Sequence, residues 1–276
     1  MNVVADLADE DSISAAVQAV SQKIGPDGLN LLINNAAVNK PVPPASLLDT
    51  RKSDMMEAFE INVVGQFVLS KVCPVASPVT RSNSPPSGDQ LTALPVLNRV
   101  SKRRAAVPNT DVQEANTIRA QIRETIPPSH PLPDDCVFAH SRKRESPHGT
   151  PSRTHPETPE RPGDEMSCRR SAIINISSTL ASLEKCPENF HMAHMFPYRI
   201  SKAALNMLTR CQAEDFKRHK VLVTAIHPGW VRTDMGGQQA PLTPEDSVVS
   251  MLGVMSSLSK RHTGTFLSWE GNTIPW

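Results

Sequence analysis

Tyr198 and Lys202 are the residues whose types and spacing point most directly to chemistry. Set four apart on a helix, their side chains share one face. Tyr198 is also the only tyrosine in the chain. A free phenol has a pKa near 10 and is a poor proton donor or acceptor at neutral pH, but a neighbouring ammonium favours the phenolate and lowers that value. Lys202 is the obvious ammonium. A tyrosine and lysine at this spacing are common on helix surfaces, so the pair gains meaning only from what accompanies it.

What accompanies it is a series of polar groups at the ends of apolar runs. Asn34-Asn35-Ala36-Ala37 closes one, Asn175-Ile176-Ser177-Ser178 closes a second, and Pro228-Gly229-Trp230-Val231-Arg232-Thr233 comes after a third. Asn62 lies within a helical stretch after Ile61. Open α/β sheets bind ligands at the carboxyl ends of parallel strands, where such residues would collect.

The elements that must position these residues are read from periodicity. Val3–Ala5 reads as the end of a strand, after which Asp11 or Ser12 caps a helix carrying Ile13, Ala16, Val17, Val20 and Ile24, stopped by Gly25. Leu31–Ile33 reads as a buried strand. Met55–Lys71 is helical, with Met56, Phe59, Val63, Phe67 and Val68 on one face. Further on, Ala172–Ile176 is a strand, Tyr198–Phe216 a helix and Val221–Ile226 a strand. Thr243, with Pro244, Glu245 and Asp246 after it, caps a helix to about Leu258, and Gly264–Ser268 is a last strand. Strands alternating with helices imply right-handed βαβ units on a parallel sheet.

Between Pro74 and about Cys168 this pattern disappears. Fifteen of the 25 prolines fall there, and hydrophobic content of 38% is low for a chain of 276 residues. Only Asp111–Ile126 offers an amphipathic helix. The expectation is a disordered insertion over residues 74–170 separating two parts of one domain, 1–73 and 171–276. A net charge of +1 opposes a nucleic-acid or membrane role based on bulk charge. The clusters Ser101-Lys102-Arg103-Arg104 and Ser141-Arg142-Lys143-Arg144 admit a nucleic-acid or nuclear-localisation reading, but a solvated linker explains them more simply. The cysteines are Cys73, Cys136, Cys168, Cys186 and Cys211, odd in number and without a C-x-x-C pair, so neither zinc nor a disulfide framework is indicated. With no signal-like amino terminus and no apolar run long enough for a span, the expectation is a soluble cytoplasmic protein without membrane or nucleic-acid partners. His191 and His194 could share a helix face, yet no third metal ligand with suitable spacing stands out, and a loop or substrate-lip role is expected. Met192 and Met195 could line an adaptable apolar pocket.

Taken in order, NNAA, the helical Asn62, NISS, YRISK and PGWVRT resemble the short-chain dehydrogenase/reductase family. Tyr198–Asn206, His227–Gly237 and the closing Ile274-Pro275-Trp276 are similar to its carbonyl-reductase, C-signal-factor-like branch. The resemblance covers about residues 1–73 and 170–276. It implies an α/β, Rossmann-like doubly wound parallel sheet and reduction of a ketone or aldehyde to an alcohol with NADP; the preference over NAD comes from the branch alone. In those terms Tyr198 is the general acid, and Lys202 lowers its pKa, helped by the oxidised nicotinamide, and binds the nicotinamide ribose. Ser178 binds the substrate carbonyl, with Ser177 as fallback, and Asn62 holds a water of a proton relay. Asn35, Ala36 and Ala37 lie beside the adenosine ribose, Ala37 replacing a customary glycine. Asp6 meets the adenine, and Pro228, Gly229 and Thr233 meet the carboxamide. Dimers or tetramers built on the Asn62 and Tyr198 helices are also implied.

The family's glycine-rich phosphate loop, expected ahead of Asp6, does not occur in the sequence. The expectation is an N-terminally truncated domain whose cofactor affinity falls by about 10³-fold for roughly three lost charge-assisted bonds. Beside the reductase therefore stands a second reading, a catalytically impaired isoform that binds partners through its helices and insertion. A third, nucleic-acid binding through the basic clusters, would be steeply salt-dependent.

Overall fold

Apolar runs separated by amphipathic helices bury their backbones by pairing side by side, with helices laid on both faces. The computed structural model has this arrangement and describes residues 3–25, 28–41, 46–73 and 166–276. These residues belong to one unit, drawn from Met1–Ala105 and Asp164–Trp276. Most of the expected insertion lies outside the described residues, as do the helix expected over 111–126, both basic clusters and Cys136.

Strands β1 (Leu31–Asn34), β2 (Ala172–Ile176), β3 (Leu222–His227) and β4 (Phe266–Ser268) form one parallel sheet in that order. Asn34 lies opposite Asn175, and Ile176 opposite Ile226. The helices are α1 (Glu10–Ile24), α2 (Lys52–Phe59), α3 (Gly65–Val72), the short α4 (Cys186–Asn189), α5 (Phe196–Phe216) and α6 (Pro244–Ser257). Alternate strand residues serve opposite layers. Leu32, Ile173 and Val223 pack with Ile13 and Val20 of α1, Leu69 of α3 and Ala213 of α5. Leu31, Ile174, Leu222 and Ile226 pack with Val254 and Met255 of α6. The result is the Rossmann-like, three-layer α/β architecture expected from the alternation of strands and helices.

Several local expectations are corrected. Val3–Ala5 forms no strand among the described residues, because an apolar run becomes a strand only through a paired neighbour. The N-cap of α1 is Asp9 rather than Asp11 or Ser12; its carboxylate accepts from both of their backbone N–H groups, Asp11 at 3.0 Å and Ser12 at 3.2 Å. Residues 166–170, assigned by sequence to the insertion, adjoin the fold directly, with Met166 and Cys168 buried against β2 and α6. The stretch read as one helix over 55–71 is interrupted by a π turn at Glu60–Val64, where the Gly65 N–H reaches back to the Glu60 carbonyl. That wider turn rotates α3 away from the phase of an unbroken helix, which advances about 100° per residue. Phe67 lies exposed beyond the turn, as Met56 and Phe59 do before it, while Val63, Asn62, Gln66 and Leu69 are buried.

Two glycines allow close approach near the strand ends. A Cβ on Gly65 would collide with the Leu7 carbonyl, so α3 reaches the segment before α1 only as glycine. Gly229 has φ of 86°, and a side chain there would strike Leu242. No helix among the described residues is long and apolar enough to cross a membrane.

Candidate active site

Three side chains meet where β2 ends. Ser178 caps the short turn Thr179–Ala181, its Oγ accepting the Leu180 N–H at 3.2 Å. That leaves the serine proton available to the Tyr198 phenol, whose pKa the Ser178 hydroxyl draws down. Tyr198 stands in the first turn of α5, which starts two residues earlier than periodicity suggested because Pro197 suits a first turn. One helical turn on, Lys202 is 1% exposed; its Nζ donates to the Ile176 carbonyl at 2.7 Å and lies 5.9 Å from the Tyr198 ring centroid.

Burial dominates the electrostatics. It pushes the Tyr198 phenol up to about 12, with the Ser178 hydroxyl pulling against the rise. Lys202 moves down to about 7, because burial disfavours its ammonium. For the phenol, desolvation is the largest influence, and Lys202 is itself moved toward its neutral form.

Ser177 and Asn62 brace this group. Ser177 turns to α5, donating to Asn206 Oδ1 at 2.6 Å. Asn62, in the π turn, accepts the Val38 N–H at 2.7 Å and donates to the Val38 carbonyl at 2.9 Å and to Ser201 Oγ at 2.9 Å. Ser201 donates in turn to the Tyr198 carbonyl at 2.9 Å. Asn62 thus ties the loop after β1 to the first turn of α5, and its side chain reaches Tyr198's helix through Ser201 rather than through Lys202. Asn34 and Asn175 link the strand ends: Asn34 Nδ2 donates to Asn175 Oδ1 at 2.8 Å and Ser70 Oγ at 2.9 Å, and Asn175 Nδ2 donates to Thr209 Oγ1 at 2.9 Å and Gln212 Oε1 at 3.0 Å.

The expected cofactor residues are distributed along the same strand ends. Asn35 is exposed and Ala36 and Ala37 are half-buried after β1; Gln66 Nε2 holds the Ala36 carbonyl at 2.6 Å. Pro228 and Gly229 come directly after β3, with Ser247 of α6 donating to the Pro228 carbonyl at 2.6 Å. Thr233 lies farther along an exposed loop, where its Oγ1 accepts the Gly236 N–H at 3.1 Å. Asp6 is engaged locally, accepting the Ala8 N–H at 3.0 Å. Asn34 Oδ1, Asn39 Oδ1 and Gln66 Oε1 are buried without hydrogen-bond partners. These acceptors, on the last residue of β1, on the segment after it and on α3, are of the kind that ribose hydroxyls pair with.

His191 and His194 lie before α5, where the His194 ring packs against Phe190 at 4.8 Å and Phe196 at 6.5 Å. Sequence reasoning gave no role to Arg199, Ser201, Asn206 or Gln66. Ser201 and Asn206 could have been found from their helical spacing to Tyr198 and Lys202, whereas Gln66 is brought inward by the π turn, which no residue pattern announced.

A parallel sheet between helical layers, with polar side chains gathered at its carboxyl ends, defines a Rossmann-like ligand-binding domain. A family model described as short chain dehydrogenase matches residues 1–76 and 164–242, and the chain belongs to that family. Among its relatives, C-signal of Myxococcus xanthus is 44% identical over 81 residues, covering 29% of this chain and 49% of that protein. Carbonyl reductase (NADPH) 1 of Oryctolagus cuniculus is 38% identical over 71 residues, covering 23% of this chain and 26% of that one. The chain thus spans half or less of these relatives' length. The crystal structure of an NADPH-bound carbonyl reductase from chicken fatty liver matches with a TM-score of 0.64 and 28% identity, covering 99% of this chain and 73% of that chain. Within that family, these similarities are to carbonyl reductases and to C-signal.

Proposed function

We propose that the protein is an NADPH-dependent oxidoreductase that reduces the carbonyl of a small ketone or aldehyde to an alcohol. The observation that carries this reading is the convergence of Ser178, Tyr198 and Lys202 at the end of β2, with the Ser178 hydroxyl drawing the phenol's pKa down. The names of the carbonyl reductase relatives support NADPH over NADH. When bound, the reduced nicotinamide supplies the hydride for the carbonyl carbon. Ser178 donates a hydrogen bond to the carbonyl oxygen, Tyr198 gives that oxygen its phenolic proton, and Lys202 holds the ribose and returns a proton toward the phenolate. Asn62 positions the first turn of α5 through Ser201. Asn35, Ala36, Ala37 and Asp6 face the adenosine half of the cofactor, and Pro228, Gly229 and Thr233 the nicotinamide half.

Exposed Met56, Phe59 and Phe67 beside α2 and α3, and exposed Ile200 and Met207 on α5, support assembly as a homodimer or homotetramer through these helices. A cytoplasmic setting accords with the free thiols of Cys73, Cys168, Cys186 and Cys211. The test is NADPH oxidation, monitored by absorbance, against a panel of aldehydes and ketones, with a parallel NADPH-binding titration. Tyr198→Phe should lower turnover by at least about 10²-fold while NADPH still binds. A folded wild-type chain that binds NADPH but turns over none of the panel would contradict the proposal.

A further inference from the structure

The connection 179–195 begins beside Ser178 and ends just ahead of Tyr198, the two hydroxyl-bearing residues that must face one carbonyl. Arg199 is 6% exposed and ties that connection down at three places. Its Nε donates to the Ala193 carbonyl at 2.8 Å, its Nη1 to the Leu180 carbonyl at 3.3 Å and Asn189 Oδ1 at 2.7 Å, and its Nη2 to the Asn189 carbonyl at 2.8 Å. The Phe190 ring lies against the guanidinium, 5.5 Å from centroid to Cζ. None of the ion pairs among the described residues includes Arg199. The hydrogen-bond acceptors of this guanidinium are all neutral, and the Cys186 thiol opposes its desolvation without cancelling it, so electrostatic stabilisation does not account for its burial. What the planar fork does supply is several fixed directions at once, which a lysine cannot match. At the junction with α5, Met195 is held at φ 34° and ψ 49°, a left-handed conformation that L side chains disfavour. The connection is therefore held in place rather than at rest.

We propose that Arg199 is a positioning residue: by fastening the 179–195 connection to the first turn of α5, it sets how the Ser178 and Tyr198 hydroxyls face each other and so sets the rate of proton transfer. The inference rests on the reductase reading. It assigns Arg199 no contact with substrate or cofactor.

The experiment uses the full chain with Arg199→Met, Arg199→Ala and the milder Asn189→Ala, which removes one acceptor. For each, kcat and KM are measured with one carbonyl substrate, NADPH affinity by fluorescence titration, and amide hydrogen exchange across 180–195. Arg199→Met is expected to lower kcat by roughly 10- to 100-fold, the scale of a misplaced reacting group, with NADPH affinity unchanged. Asn189→Ala should move kcat the same way by less. Millimolar guanidinium should restore part of the Arg199→Ala rate and methylammonium should not, a difference that a general loss of folding would not produce. Wild-type kcat in folded Arg199→Met overturns the proposal, and so does unchanged exchange across 180–195. If the wild-type chain turns over no carbonyl, the reductase reading fails separately, and exchange still decides whether Arg199 fastens the connection. If Arg199→Met does not fold, Asn189→Ala decides it: a lowered kcat with faster exchange supports the proposal, and wild-type values for both overturn it.

Discussion

Lys202 offers a measurement independent of any substrate. Its ammonium is buried, and the fold lowers its pKa from 10.5 to about 7. Between those values the unfolded chain holds a proton that the folded chain has released, so stability rises as pH rises through this window. From about pH 7 to about pH 9 the gain works out at about 2 kcal/mol, given 1.36 kcal/mol per pH unit of full proton difference and a folded lysine half protonated at the start. Cys73 and Cys168, raised from 9.0 to about 12 by burial, act in the opposite sense: their contribution is present below 9 and is lost as pH climbs toward 12. Tyr198, raised from 10.0 to about 12, behaves likewise from a higher starting point. Comparing wild type with Lys202→Met removes these shared terms. Urea unfolding of both proteins at about pH 7, 8 and 9 should give a stability difference that shifts by about 2 kcal/mol in favour of wild type as pH rises. Two parallel stability curves would refute the argument that this lysine is desolvated.

The geometry sets three further outcomes. Ser178→Ala should lower kcat by about 10-fold or more and, by losing the cap on Leu180, cost about 1 kcal/mol; Ser177→Ala, which breaks the bond to Asn206, should leave kcat near wild type and cost about 1 to 3 kcal/mol in chemical denaturation. Asn175→Ala removes partners from Asn34, Thr209 and Gln212 together and should destabilise the fold by about 1 to 3 kcal/mol in the same assay, with an unchanged midpoint counting against a structural role for this network. Gly65→Ala drives a methyl into the Leu7 carbonyl and should cost about 1 to 3 kcal/mol, whereas Gly253→Ala, on α6 with open space around it, should not.

Much of this molecule was legible along the chain because its signals are local. Apolar runs at Leu31–Ile33, Ala172–Ile176 and Val221–Ile226 marked buried parallel strands, Thr243 with Pro244 marked a helix start, and Tyr198 with Lys202 marked a shared helix face. Hydrogen bonding and helical geometry act over a few residues, so residue order records them directly. The order of short motifs from Asn34 to Thr233 carried the family resemblance for the same reason. What tertiary structure alone decided depends on groups far apart in sequence. The π turn at Glu60–Val64 swings Asn62 and Gln66 inward and leaves Phe67 outside, an outcome set by packing against Val38, Ala36 and Ser201. The fold also engages Ser177 with Asn206, and Val3–Ala5 stayed out of the sheet because pairing is a property of two segments. The pKa values of Tyr198 and Lys202 belong here too: burial, which only the assembled fold creates, moves both groups toward their neutral forms.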